Sequence, residues 1–132
     1  MTVRPTRFAL SCACIALACM GSVTHADDVV AGKSFFEEQC IACHTAKEGD
    51  NGGNQGPSLI GLVGRPAASD KEFTYTPQLK TAKLIWDAAT LDRFLAAPDT
   101  VVPGTAMVFA VPNKADRDKL LAYFASVSRT AK

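Results

Sequence analysis

Residues Cys40-Ile41-Ala42-Cys43-His44 put two thiols and an imidazole at a spacing that can do chemistry. C-x-x-C-H is the attachment pattern of c-type haem. Each thiol adds to one of the porphyrin's two vinyl groups as a thioether, and the two intervening residues match the separation of the vinyls. A histidine directly after the second cysteine brings its imidazole beneath the iron as the proximal ligand. Two other chemistries share the C-x-x-C pair. Half of a tetrahedral zinc site would need two further N or S ligands, and a thioredoxin-like dithiol belongs in a βαβ setting.

The start of the chain bears on that choice. Of its 132 residues, enough for one small domain, the first 26 read as a secretory signal peptide. Arg4 and Arg7 form a positive segment, residues 8–20 are an apolar run, and Gly21-Ser22-Val23-Thr24-His25-Ala26 supplies small residues before a cut. A membrane-spanning anchor needs about 20 apolar residues, and this run is shorter. A lipoprotein cut before Cys19, in Ala16-Leu17-Ala18-Cys19, is the other possibility, but alanine stands where a larger aliphatic residue is usual. The expected organisation is a removed peptide, 1–26, and a single domain, 27–132.

Removal of that peptide takes Cys12, Cys14 and Cys19 with it, and also His25, Met1 and Met20. Cys40 and Cys43 are then the only cysteines, His44 the only histidine and Met107 the only methionine. Zinc lacks ligands in such a chain. Export suits haem, because c-type attachment takes place outside the cytoplasm. The chain's 14 Lys and Arg include Arg4 and Arg7, which leaves 12 against 13 Asp and Glu, a net charge near −1. No basic patch is interleaved with aromatics in the way single-strand binders use, so a nucleic-acid partner is not expected.

The elements around the motif read as helices joined by long loops. Asp27 and Asp28 are expected to cap a helix whose stripe is Val29, Gly32, Phe36 and Cys40. That helix would deliver the haem motif at its C-terminal end. Gly32 inside it implies a close helix–helix contact. Six of the nine glycines fall within residues 45–66, with Pro57 and Pro66, which marks loop. The apolar insert at 57–63 implies that this loop folds over something greasy, for which a porphyrin is the obvious candidate. Thr76 and Pro77 start a short helix. Asp87 caps a helix over 88–97 with an inner stripe of Leu91, Phe94 and Leu95, stopped by Pro98. Asn113 caps the last helix, striped by Leu120, Tyr123, Phe124 and Val127. No strand pattern competes. The class is all-α with a thin core, so the chain without haem is expected to fold poorly.

Iron bound by His44 has one further axial position. A side chain there suits electron transfer, and an open position suits ligand binding or activation. A methionine is more often core filler than ligand. Met107, however, is the only thioether or second imidazole-type donor left after residue 26, and it follows a Pro103-Gly104 turn that can aim a side chain inward.

Six segments occur in one order: Cys40-Ile41-Ala42-Cys43-His44, Gly56-Pro57-Ser58-Leu59, Gly61-Leu62-Val63-Gly64-Arg65, Phe73-Thr74-Tyr75-Thr76, Leu84-Ile85-Trp86, and Pro103-Gly104-Thr105-Ala106-Met107-Val108-Phe109. In this the chain resembles the class I c-type cytochromes, specifically the mitochondrial-type cytochromes c and their soluble bacterial relatives. The likeness runs from Gly32 to Tyr123. It implies a cytochrome c fold with crossing N- and C-terminal helices, Gly32 and Phe36 meeting Leu120 and Tyr123. It also implies one haem c, covalent through Cys40 and Cys43, with His44 and Met107 as iron ligands. By the same resemblance the Pro57 carbonyl accepts a hydrogen bond from His44. Arg65, Tyr75, Trp86 and Thr105 hold the propionates, and Phe109 packs beside Met107. Trp86 as plain core and Arg65 as a solvated loop charge are the alternatives.

The chain also departs from that pattern. Mitochondrial-type proteins ring the haem edge with lysines that dock acidic partners. Here the corresponding region reads Gln39, Asp99, Thr100 and Ala106, with Lys47 and Lys114 expected to remain nearby. Association with partners is therefore expected to depend weakly on ionic strength. The family's alkaline transition replaces the methionine by a nearby lysine, and residues 98–106 contain none.

The function implied is that of a periplasmic one-electron carrier and not an enzyme. It would work between redox proteins (a membrane quinol-oxidising complex, an oxidase, a reductase or a reaction centre) in transient complexes, as a monomer without stable membrane insertion. The alternative is a haem protein with a labile Met107, acting as a peroxidase or gas-ligand binder. A module whose haem serves only to stabilise it is a third.

Overall fold

The computed structural model describes residues 25–50, 52–53 and 55–130. Cys19 and all of the expected signal peptide except His25 and Ala26 lie outside the described residues. Helices α1 His25–Gln39, α2 Pro77–Thr81, α3 Ala88–Ala96, α4 Pro98–Val101 and α5 Lys114–Thr130 follow in order. The described residues contain no strand, only isolated bridges between Thr45 and Ser58 and between Pro66 and Ile85. The all-α expectation holds.

Local chemistry sets most helix starts. The Thr76 hydroxyl accepts from the Leu79 amide at 3.4 Å, with Pro77 at the first helical position. Asp87 Oδ1 accepts from the Thr90 amide at 2.7 Å, and Asn113 Oδ1 from that of Ala115 at 2.9 Å. Two details differ from the sequence reading. Asp27 and Asp28 sit within the first turn of α1, because the helix begins at His25; they still lie at the positive end of its dipole. Pro98 both ends α3 and opens α4, a helix the sequence reading did not place. Its ring Cδ crowds the residue before it out of helical geometry, while its own fixed φ is preset for a first helical position.

The terminal helices α1 and α5 cross at Gly32. A Cβ built there would overlap the Lys119 carbonyl and stand 3.0 Å from Tyr123 Cβ, so hydrogen is the largest group that fits. One turn on, the Phe36 ring lies 5.5 Å from Tyr123 and 6.2 Å from Phe124, the latter edge-on. Such pairs add about 0.5–1.5 kcal/mol each beyond their burial. The crossing is the expected one.

Leu91, Phe94 and Leu95 of α3 complete the core with Trp86, Val102 and Val111. The glycine-rich segment is tied to it by backbone. The Leu59 amide donates to Thr45 O at 2.7 Å, Gly64 N to Trp86 O at 2.9 Å, and Trp86 N to Arg65 O at 3.0 Å. From α5 the Ser128 hydroxyl accepts from Val63 N at 3.0 Å and donates to Phe124 O at 2.8 Å. The loop is held at both ends, across the molecule from one helix to another.

Candidate functional site

The last turn of α1 runs straight into the thiol–imidazole motif. Cys40 N donates to Phe36 O at 2.9 Å, and Cys40 O then accepts from Cys43 N at 3.1 Å and His44 N at 2.9 Å. This winding keeps both half-buried thiols and the imidazole on one turn of backbone. Burial, with Cys43 alongside, pushes the Cys40 thiol up to about 11. A redox dithiol needs the opposite. It sits at a helix N-terminus, where the dipole favours thiolate, whereas these cysteines follow a C-terminus. The dithiol reading fails on that polarity.

His44 is oriented from the far side of the loop. Its Nδ1 lies 2.9 Å from the Pro57 carbonyl oxygen. A carbonyl can only accept, so Nδ1 carries the proton and the Nε2 lone pair is left for a metal. Burial lowers the imidazole's pKa, and the hydrogen bond to Pro57 partly restores it. The ring is therefore neutral at neutral pH, the form that ligates.

Two glycines complete this support, and sequence reasoning assigned them no role. A Cβ on Gly56 would run into the His44 ring, standing 2.6 Å from Nδ1 and 2.8 Å from Nε2. The bare backbone of Gly56 is thus one wall of the imidazole slot. A Cβ on Gly53 would overlap the Cys43 carbonyl, and Gly53 N donates to Gly56 O at 3.0 Å. The density of glycine in 45–66 was a visible signal of close backbone approach, though not of what is approached.

Arg65, Tyr75 and Trp86 form a second cluster. The Arg65 guanidinium donates to Ser58 O at 2.8 Å and Ile60 O at 3.2 Å, while its buried Nε has no partner. Burial raises the Tyr75 phenol's pKa, and the charge of Arg65 pulls it back. The Tyr75 ring meets Phe73 edge-on at 5.0 Å, and Trp86 tilts against Phe94 at 5.0 Å. Trp86 is core as well as a neighbour of Arg65 through the backbone.

Met107 and Thr105 stand on a separate loop. Thr105 N donates to Val102 O at 3.0 Å across Pro103-Gly104, and Gly104 has φ +78°, the value a type II turn demands of glycine. The Thr105 hydroxyl accepts from Met107 N at 3.3 Å. Met107 is half-buried against the core and borders a cavity of about 310 Å³ with Ala97, Pro98 and Thr105. Phe109, expected to pack beside it, is 43 % exposed, and Val108 between them 91 %.

The cytochrome c family model matches residues 29–128, nearly all of this architecture. The chain belongs to the cytochrome c family. It is 42 % identical over 99 residues to cytochrome c2 of Rhodoblastus acidophilus, covering 74 % of this chain and 91 % of that protein. It is 43 % identical over 101 residues to cytochrome c of Tetrahymena pyriformis, covering 76 % and 89 %. Among solved structures it resembles cytochrome cH from Methylobacterium extorquens, with TM-score 0.67, 35 % identity, and coverage of 75 % of this chain and 98 % of that one.

Membership of an electron-carrying family implies a covalent haem c, and the residues of this cytochrome c fit one. Two thiols at C-x-x-C spacing suit the vinyls, His44 Nε2 suits the iron, and the unpartnered Nε of Arg65 suits a carboxylate. No helix among the described residues is long and apolar enough to cross a membrane.

Proposed function

We propose that this cytochrome c is a periplasmic one-electron carrier with a single haem c, joined through Cys40 and Cys43 and held axially by His44 and Met107. The bond from His44 Nδ1 to the Pro57 carbonyl carries the reading, because it presents Nε2 as a metal donor beside both thiols. A haem bound here would supply the one-electron redox couple. Met107 would offer that haem a soft thioether donor, which favours the reduced form and leaves no open position for small oxidants. Arg65, Tyr75, Trp86 and Thr105 hold the propionates, and Phe109 covers the methionine side.

None of these residues is assigned acid–base or nucleophilic work. The partners are redox proteins: a membrane quinol-oxidising complex on one side and an oxidase, reductase or reaction centre on the other. Contact with them is brief and small, under about 1,200 Å². The residue 1–26 segment directs export, and the protein acts as a monomer.

Optical spectra of the protein purified from a periplasm, oxidised and reduced, with and without CO, test this reading. Low-spin bands, the near-infrared charge-transfer band of Met-ligated ferric haem and no CO shift are expected. Ready CO binding at neutral pH would instead support a labile Met107 and the peroxidase or gas-binding alternative.

A further inference from the structure

The segment that carries Met107 leaves the core at Val102 and rejoins it at Val111. Its first turn is tied by Asp99, whose Oδ1 accepts from Gly104 N at 2.9 Å in an exposed setting. Its return is held differently. Arg117, on the first turns of α5 and only 8 % exposed, donates from one Nη to Val111 O at 3.0 Å and to Pro112 O at 2.8 Å. Its Nε donates to Asp92 Oδ1 of α3 at 2.8 Å. The Val111 amide donates in turn to Leu95 O of α3 at 2.7 Å.

One guanidinium therefore joins α3, α5 and the end of the Met107 segment. Among the described residues, no other hydrogen bond joins 107–112 to a side chain of the core. We propose that Asp92 and Arg117 are positioning residues for Met107, a clamp centred on the buried Arg117 guanidinium, with Asp92 partly exposed, that keeps the Met107 segment closed over the haem site. The inference rests on the reading of Met107 as an iron ligand.

The physical argument is one of geometry. Arg117 has a planar fork of donors that can meet a carboxylate and two carbonyls at once. A lysine placed there keeps the charge but has a single nitrogen on a flexible stem. Asp92 fixes the plane of the fork. Loss of either partner leaves the Val111 and Pro112 carbonyls, or the guanidinium itself, without a fixed partner, which destabilises the arrangement. If the clamp holds the segment closed, that cost falls on the closed state, and an added ligand that displaces Met107 competes better.

The experiment is a titration of the ferric holoprotein with imidazole, read in the near-infrared Met band, alongside urea unfolding of the same samples. The variants are Asp92→Asn and Arg117→Lys, both conservative in size. Asp87→Ala, which removes the α3 cap and touches no part of the Met107 segment, is the comparator for plain loss of stability. Asp92→Asn and Arg117→Lys are expected to bind imidazole roughly tenfold tighter, the factor that corresponds to about 1.4 kcal/mol. Asp87→Ala should lower the urea midpoint without changing imidazole affinity. Parent-like affinity in both clamp variants, or an equal gain in Asp87→Ala, overturns the clamp alone. A parent protein that lacks the Met band overturns the ligation reading, and the clamp with it.

Discussion

Gly56 shows how much of an imidazole's placement can rest on the smallest side chain. Its backbone lies flat against His44, and any Cβ would occupy space the imidazole ring fills. The ring cannot yield freely, because its Nδ1 is held by Pro57 O. Gly56→Ala is expected to cost about 1–3 kcal/mol as an overpacked contact and to turn His44 away from the axial direction. Haem content per chain and the ferric spectrum check it: less haem, or a high-spin fraction, is the expected outcome, and a parent-like spectrum at full haem content counts against it. A second residue-scale prediction concerns the stretch 98–106, which has no lysine. Met107 ligation should persist to higher pH than in relatives with a lysine there, or give way to hydroxide. A pH titration of the near-infrared band decides it. Replacement of that band by a lysine-type spectrum at the family's usual pH would count against this.

Among elements, the crossing of α1 and α5 leaves least room for change. Their closest approach is the backbone of Gly32 on the Lys119 carbonyl, with Phe36 stacked into Tyr123 and Phe124 beside it. A methyl group at Gly32 forces the helices apart along a joint that also sets where the haem motif emerges. Alanine would ordinarily favour a helix by about 0.8–1 kcal/mol over glycine. The steric effect should win here, giving a net loss of about 1–3 kcal/mol. Urea unfolding of Gly32→Ala measures it, and an unchanged or raised midpoint would show that the helices can slide to accommodate the methyl. The crossing was readable before any coordinates, from the lone glycine in an otherwise helical stripe. The start of α4 was not, because one proline ring both stops the helix before it and suits the first position of the next.

For the molecule as a whole, acid is the condition that should loosen it. The Asp92 carboxyl is held below its ordinary range by its hydrogen bond from Arg117, and Asp87 by the amide of Thr90. A carboxyl whose folded pKa is depressed stabilises the fold above its unfolded value, about 3.9, and loses that contribution as pH falls through the folded one. Both groups serve α3, and one of them also serves the Met107 segment. Stability should therefore be level near neutrality and decline below about pH 4, with the Asp92→Asn variant declining less steeply. Urea midpoints from pH 7 to pH 3 test this; equal slopes in parent and variant would remove Asp92 from the account.

The sequence by itself determined the class of the fold and supplied the motif on which the proposed haem centre rests. Cys40, Cys43 and His44 lie within five consecutive residues, so their relation is local, and the caps at Thr76, Asp87 and Asn113 act within three residues. Those signals do not depend on how the chain closes. Tertiary structure alone decided what presses on the centre from far along the chain. Gly56 against His44, the Ser128 hydroxyl on Val63, and Arg117 joining Asp92 to the Val111 and Pro112 carbonyls are contacts between residues that no periodicity relates. A glycine, a serine and an arginine have many uses in a sequence. Which one each serves is set by the groups that packing brings to it, and those are chosen only when the helices cross.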